Sequence, residues 1–185
     1  MRKSNVYYLT ISAMFAALIA VGAFIKIPMP LLPFTMQTFF TMLACFLLPK
    51  NYSALSAGLY LILGLIGVPI FTGGGGFGYV LTPGFGYLIG FVVANYVAGG
   101  FFNKRVSNGI SAKIVDYFVV GFVNIAIVYM CGLGYWYLLA NVFTSNSIGV
   151  WALIMNGFLL TLPGDLVKLA IAVPVASKLK GHLNF

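Results

Sequence analysis

The sequence predicts an all-α integral membrane protein with six transmembrane helices and a re-entrant or interfacial segment before the last helix. Of its 185 residues, 62% are hydrophobic and 6% are charged, whereas soluble domains carry about 25% charged residues. A soluble chain of this length could not bury so much apolar surface. The apolar residues also fall into runs that approach the length needed to cross a bilayer, about 20 residues per helix.

The first half of the chain holds three predicted helices. Residues 6–25 form the first, and a proline-rich loop over residues 26–34 follows it. Residues 34–48 form the second and residues 52–68 the third, and a proline follows each of them. Proline fixes its own backbone dihedral angle and restricts the residue before it, so a helix tends to stop there. Only a few residues join the second and third helices, which predicts that they pack antiparallel.

The stretch 70–86 is dense in glycine. Glycine opposes regular structure and lets backbone amides approach a ligand closely. No Gly-Lys-Ser/Thr follows the glycines, so this is not a nucleotide-binding P-loop. A flexible linker is the alternative, but the aromatic residues within the run favour a packed, folded loop.

The second half of the chain holds three more predicted helices. Residues 85–102 form the fourth, the fifth runs from residue 114 past residue 134, and residues 163–180 form the sixth, which is about 27 Å long. Between the last two, residues 148–162 are too few for a comfortable seventh span. A seventh span would also put the basic carboxy terminus outside, against the positive-inside bias. We therefore predict that residues 135–162 form the outer end of helix 5 and a re-entrant or interfacial hairpin.

The basic residues support this topology. All of the ten except Lys26 and Lys168 fall in segments on the same side of the membrane as the amino terminus. Cytoplasmic loops carry an excess of basic residues, so we expect both termini to be cytoplasmic. The basic residues occur in ones and twos rather than in a patch, which argues against a nucleic-acid partner.

Asp165 and Lys168 are the residues that most suggest a function. The chain has two acidic residues, Asp116 and Asp165. An acid and a lysine three residues apart face each other on a helix, and Pro163 suits the first position of that helix. Ionised groups inside a membrane are costly and indicate function; a structural ion pair that fixes the helix end is the alternative. Asp116, near the start of helix 5, is predicted to be a solvated partner of nearby basic residues.

Three segments converge on one outward-facing pocket in this topology: the loop 26–34, the loop 70–86 and the start of helix 6. A lysine near a helix N-terminus attracts a carboxylate or phosphate, and a carboxylate accepts hydrogen bonds from N–H groups. Phe34, Phe85 and Tyr87 make the surroundings aromatic. The preferred ligand should therefore be a small vitamin-like acid with an N–H donor head and an apolar body. A small membrane channel is the alternative.

The residues offer no arrangement for catalysis. The sequence has no Ser-His-Asp set, no metal-ligand cluster and no second carboxylate near Asp165. Cys45 and Cys131 both fall in apolar segments, which argues against a disulfide or a metal site. We therefore expect that the protein is not an enzyme and holds no cofactor or metal. Because it also lacks a nucleotide-binding motif, energised uptake would require another protein.

A stripe of small residues on helix 1 suggests where such a partner docks. The stripe consists of Ala13, Ala16, Ala17 and Ala20, which share one face of the helix. Small residues let helices approach closely within a membrane. Tight packing within the protein's own bundle is the alternative.

Four stretches together resemble the biotin-specific S components (BioY family) of energy-coupling-factor (ECF) vitamin transporters. They are residues 33–37 (PFTMQ), 60–71 (YLILGLIGVPIF), 83–91 (PGFGYLIGF) and 163–168 (PGDLVK). The resemblance implies a single transmembrane substrate-binding domain over residues 1–185, in the plasma membrane of a prokaryote. Such a protein captures biotin from outside and delivers it with a transmembrane coupling subunit (T component) and two ATP-binding-cassette ATPases. An S component for another small vitamin is the alternative within this class.

The resemblance also implies roles for individual residues. Asp165 and Lys168 match two ligand-binding positions of the family, and our hypothesis is that the ureido head of biotin donates to Asp165 while the valerate carboxylate meets Lys168. Gly75 and Leu88 stand where some members have an asparagine and an arginine, so Lys168 would carry more of the carboxylate recognition. The alanine stripe is similar to the pattern by which S components dock on the T component. The other predicted substrate-binding residues are Tyr87, Gly74, Gly75, Gln37, Phe34 and Phe85.

Overall fold

The computed structural model describes residues 5–29, 32–107, 113–143 and 149–183. Within these residues the chain is mostly helical, with one two-stranded antiparallel ladder between the first two helices. The elements in chain order are α1 (Asn5–Phe24), β1 (Lys26–Ile27), β2 (Phe34–Thr35), α2 (Gln37–Leu47), α3 (Lys50–Leu65), α4 (Phe85–Ser107), α5 (Ile114–Leu138), α6 (Val150–Ile154) and α7 (Leu162–Leu183). The five-residue α6 leads into α7, so the predicted count of six helices with a segment before the last one is confirmed.

Most helix boundaries lie within a few residues of the predicted ones, and the differences have local causes. α3 ends at Leu65 rather than at residue 68, because Gly67 adopts a left-handed backbone with φ of 111°. A glycine in this conformation is a common helix terminator. α4 continues to Ser107, past the predicted end at residue 102.

The segment before α7 is helical. A π-helical turn at Leu139–Phe143 extends α5, and a second one at Met155–Leu159 joins α6 to α7. Trp136, Ala140 and Leu153 form a small buried cluster, so α6 packs back against the end of α5. The predicted hairpin therefore has two helical arms, and its tip, residues 144–148, lies outside the described residues.

Four helical segments of the described chain are long and apolar enough to cross a membrane. They are Asn5–Phe24, Phe85–Lys104, Ile114–Val142 and Val150–Lys180. α2 has only 11 residues, of which Gln37, Thr38, Thr41 and the run 42–47 are buried. This short helix therefore lies inside the bundle. Loops and a cavity occupy the space next to its N-terminal turn. We call this end of the bundle, where α1 ends and α4 begins, the cavity end.

Asp116 lies at the opposite end of the bundle from the cavity. The prediction that it is solvated was wrong, because its side chain is buried. Its Oδ2 accepts a hydrogen bond of 3.0 Å from the backbone N–H of Lys113, which precedes α5. Asp116 thus caps the start of α5, where a negative charge also interacts favourably with the helix dipole.

The glycine-rich loop is packed and folded. Phe71 is buried, pairs through its backbone with Gly74, and lies between the rings of Tyr60 and Tyr79, at centroid distances of 5.4 and 4.5 Å. A short 3₁₀ helix at Phe77–Leu81 follows, which the sequence did not predict. The loop is thereby fixed against the end of α3.

Gly64 of α3 makes this packing possible, because a Cβ at this position would overlap the ring of Phe71. We expect Gly64→Ala to lower the free energy of unfolding by about 1–3 kcal/mol, the usual cost of overpacking. Gly58→Ala in the same helix is the matched control, because no atom lies within 4 Å of the added Cβ. Thermal denaturation in detergent measures both variants, and equal destabilisation would contradict this account.

Candidate functional site

A cavity of about 270 Å³ opens among the loops at the cavity end. Its floor is the first turn of α2, its walls are α4, α5 and α7, and its rim includes the proline-rich and glycine-rich loops. The lining residues used below are Phe34, Thr35, Gln37, Thr38, Thr72, Gly73, Tyr87, Tyr129, Thr161, Asp165 and Lys168. The lining is mostly apolar, with its charged groups concentrated on α7.

Asp165 and Lys168 form an ion pair in the wall of the cavity. The Lys168 Nζ lies 2.8 Å from the Asp165 Oδ1, and both side chains are more than 90% buried. The three-residue spacing on α7 brings the two groups together, as predicted from the sequence. Breaking such a buried pair by removing one partner is strongly destabilising, because a charge is left without compensation.

Two other helices, α2 and α5, donate hydrogen bonds to the Asp165 carboxylate. Thr38 of α2 donates a hydrogen bond of 2.9 Å to Oδ1, and Tyr129 of α5 donates one of 2.6 Å to Oδ2. The Tyr129 hydroxyl is also 2.7 Å from the Oγ1 of Thr161, one turn before Asp165. The carboxylate is therefore fixed in position before any ligand contacts it.

The Lys168 ammonium uses all three of its N–H groups within the protein. It donates to Asp165, to the Thr38 hydroxyl at 2.9 Å and to the backbone carbonyl of Thr35 in β2. It also lies 3.5 Å from the centroid of the Phe34 ring, which gives a cation–π contact. Phe34 fits here because Gly164 of α7 has no Cβ, which would overlap the ring.

Tyr87 forms part of the aromatic wall. Its hydroxyl donates a hydrogen bond of 2.9 Å to the carbonyl of Gly157, in the π-helical turn before α7. Its ring meets Tyr129 edge to face, with centroids 6.0 Å apart. A Cβ on Gly132 would lie 2.5 Å from the Tyr87 ring, so the absence of a side chain at Gly132 sets the position of this wall.

Gln37 lies at the floor of the cavity and is held from both sides. Its Nε2 donates to the Tyr60 hydroxyl at 2.8 Å, and its Oε1 accepts from the Thr35 hydroxyl at 3.1 Å. Gln37, Phe34, Tyr87, Asp165 and Lys168 are thus the predicted site residues that line the cavity.

Gly74, Gly75 and Phe85 do not line the cavity. Gly74 has a φ of 116° and closes the backbone bridge to Phe71. A Cβ on Gly75 would overlap the carbonyl of Val68, so Gly75 serves close packing of the loop. Phe85 packs its ring against Tyr135, behind the wall. These three residues support the site without facing it.

Tyr129, Thr38 and Thr161 are residues of the site that sequence reasoning missed. Thr161 could have been predicted from the sequence, because it lies four residues before Asp165 and so shares its helix face. Tyr129 and Thr38 lie 36 and 127 residues from Asp165 in the chain, and no local pattern connects them to it.

The alanine stripe of α1 is divided between two environments. Ala13 and Ala17 are exposed, Ala20 is half-buried, and Ala16 is buried in the core. Ala16 therefore packs within the bundle, as the alternative interpretation held. Ala13 and Ala17 lie on the outer face of α1, and Ala20 packs partly against the core.

Comparisons with known proteins agree on one family. A model of the BioY family matches residues 1–185. The chain is 40% identical over 172 residues to a probable biotin transporter BioY of Lysinibacillus sphaericus, covering 93% of this chain and 85% of that protein. It is 34% identical over 170 residues to the biotin transporter BioY of Thermotoga maritima, covering 91% and 93% of the two chains.

A solved structure has the same fold. It is the crystal structure, at 2.1 Å, of the S-component for biotin from an ECF-type ABC transporter. The TM-score is 0.82 at 29% sequence identity, and the match covers 97% of this chain and 95% of that one. With this fold and the match along residues 1–185, the chain belongs to the BioY family.

Proposed function

We propose that the protein is the substrate-binding S component of an ECF-type transporter and takes up biotin through the cavity described above. The Asp165–Lys168 pair is the observation that carries the proposal, because it places a buried acceptor and a buried donor side by side, 2.8 Å apart. The match to biotin transporters along the chain supports the same ligand.

The ureido head of biotin has the complementary arrangement. In a cyclic urea an N–H donor lies next to a carbonyl acceptor, so the N–H can donate to Asp165 while the carbonyl accepts from Lys168. Hydrogen bonds to charged groups are the stronger ones, worth about 1.5–3 kcal/mol each. The ligand carbonyl would replace one of the acceptors to which the Lys168 ammonium now donates, such as the backbone carbonyl of Thr35.

This pose changes the role expected for Lys168. Asp165 and Lys168 are in direct contact, whereas the two ends of biotin are separated by a bicyclic ring system and four methylene groups. An extended biotin therefore cannot place its ureido group on Asp165 and its carboxylate on Lys168. We propose instead that the head binds both charged groups and that the valerate tail points towards the loops.

The apolar body of biotin would contact the aromatic wall. Phe34, Tyr87 and Tyr129 line the cavity. Burial of apolar surface contributes about 25 cal/mol per Å², so these contacts add affinity, while Gln37 offers a further polar contact at the floor.

The transport cycle requires partners. We propose that Ala13 and Ala17, exposed on α1, let a T component approach closely, and that two ATPases on that complex supply the energy. The predicted orientation puts the cavity on the outside of a prokaryotic plasma membrane and both termini in the cytoplasm. Residues 1–185 would act as one substrate-binding unit.

Isothermal titration of the detergent-purified chain with a panel of vitamins tests the proposal. We expect saturable, tight binding of biotin and none of thiamine, riboflavin or pantothenate at the same concentration. Binding of a different vitamin would assign the protein to another S-component class, and an absence of saturable binding to any of them would favour a channel.

Tyr129→Phe tests whether Tyr129 positions the Asp165 carboxylate. The change removes the hydroxyl that donates to Oδ2, and the carboxylate becomes freer to rotate. We expect biotin affinity to fall about tenfold, because a hydrogen bond to a charged group is worth about 1.5 kcal/mol or more. Tyr96→Phe on the exposed side of α4 is the control and should bind as the wild type does. Equal affinities for all three proteins would show that Tyr129 has no positioning role.

A further inference from the structure

We propose that Lys26 recognises the carboxylate of the ligand at the rim of the cavity and thereby selects for an acidic tail. The inference rests on the proposed function, because it concerns the end of biotin that points away from the ion pair. It assigns a specificity-determining role to a residue for which the sequence suggested none.

The charges inside the cavity cannot serve an anionic tail. Asp165 and Lys168 together carry no net charge, and in the proposed pose both of them bind the ureido head. A carboxylate brought next to this pair would also lie beside the Asp165 carboxylate, and like charges repel. A ligand with an acidic tail therefore needs a cation elsewhere along the cavity.

Lys26 lies where such a cation is required. It is exposed, and its Nζ donates a hydrogen bond of 2.7 Å to the carbonyl of Thr72. Thr72 and its neighbour Gly73 both line the cavity. The ammonium is therefore bonded directly to the part of the glycine-rich loop that forms the rim.

The backbone of Lys26 is also fixed beside the site. In the β1–β2 ladder Lys26 is paired with Thr35, and the carbonyl of Thr35 accepts a hydrogen bond from Lys168. The β1–β2 pair thus connects the residue that bears the outer ammonium to the strand whose carbonyl accepts from the inner one.

Lys26 has no competitor at the cavity end among the side chains that the structure describes. The other described cations outside the ion pair lie at the far ends of the helices, namely Lys50, Lys104, Lys113, Lys178 and Lys180. A lysine ammonium has three donors on a flexible stem. It can therefore keep its bond to Thr72 and turn a second donor towards a carboxylate.

The test compares biotin with biotin amide, whose tail carries no charge, on the wild type and three variants. Lys26→Gln removes the charge but keeps a donor for the Thr72 carbonyl, and Lys26→Arg keeps the charge. Lys50→Gln makes the same charge change at the opposite end of the bundle. Dissociation constants for both ligands are measured at low and at high salt.

We expect Lys26→Gln to weaken biotin binding about three- to tenfold and to leave the affinity for biotin amide within twofold. Interactions between exposed charges are weak and are screened by salt. The ratio of the wild-type affinities for biotin and biotin amide should therefore decrease at high salt. Lys26→Arg and Lys50→Gln should keep the preference.

The inference is overturned if Lys26→Gln leaves the affinities for biotin and biotin amide unchanged. It is also overturned if the variant lowers both affinities equally, since Lys26 would then only connect β1 to the glycine-rich loop. Either result would leave the proposed function intact, because the wild type would still bind biotin. A wild type that binds neither ligand would instead refute the proposed function itself.

Discussion

Replacing Asp165 with alanine is expected to lower the affinity for biotin at least 100-fold. The variant removes the acceptor for the ureido N–H and also releases Lys168, whose Nζ lies 2.8 Å from the carboxylate. Two hydrogen bonds to charged groups are worth about 3 kcal/mol or more together, and each 1.4 kcal/mol is a factor of ten in affinity. Isothermal titration with biotin measures the loss.

A second variant separates binding from folding. Removing one partner of a buried ion pair destabilises a protein by about 3–5 kcal/mol, so Asp165→Ala lowers stability as well as affinity. Asp165→Asn keeps the shape of the side chain and still offers an oxygen to Thr38 or Tyr129, and we expect it to remain folded and to bind biotin poorly. Asp116→Asn is the control, because Asp116 lies at the opposite end of the bundle. Wild-type affinity in a folded Asp165→Asn protein would contradict the assigned role of the ion pair.

The second large effect is expected from Gly132→Ala in α5. The added Cβ would lie 2.5 Å from the ring of Tyr87, which must then move. Tyr87 lines the cavity, so a shift of its ring changes the cavity wall and strains the hydrogen bond from its hydroxyl to the Gly157 carbonyl. Overpacking of this kind costs about 1–3 kcal/mol, and we expect biotin to bind about 30-fold more weakly.

Gly134→Ala provides a matched control in the same helix. No atom lies within 4 Å of a Cβ at Gly134, so the same substitution two residues away should leave biotin affinity unchanged. Titration of both variants, together with their melting temperatures in detergent, distinguishes a changed cavity from a general loss of helix packing. Equal affinities for the two variants would show that Tyr87 does not form the wall of the binding site.

The sequence predicted the helices and the ion pair because both follow from short-range patterns. Apolar runs predict the six helices, and the three-residue spacing predicts the contact between Asp165 and Lys168. The helical segment before α7 was harder to predict, because α6 has five residues and is stabilised by its packing on α5.

The rest of the site depends on contacts that the sequence does not encode locally. Thr38 and Tyr129 reach Asp165 from α2 and α5, and only the three-dimensional packing of these helices brings them together. The roles of individual glycines also depend on packing. Gly74 and Gly75, predicted to contact the ligand, shape the backbone of the loop and are absent from the cavity lining. Gly132 and Gly164 make room for the aromatic residues of the cavity wall.

The ion pair at Asp165 has a consequence for the electrical balance of uptake. Its carboxylate is paired with Lys168 and accepts hydrogen bonds from Thr38 and Tyr129, so the two charges in the cavity wall cancel. Asp116, the other acid of the chain, caps a helix at the far end. Each biotin anion would therefore move one uncompensated negative charge against an inside-negative membrane potential, which opposes it by about 2.3 kcal/mol per 100 mV. Under the proposed function, the ATPases of the partner complex would have to supply this energy as well, since the membrane potential opposes accumulation.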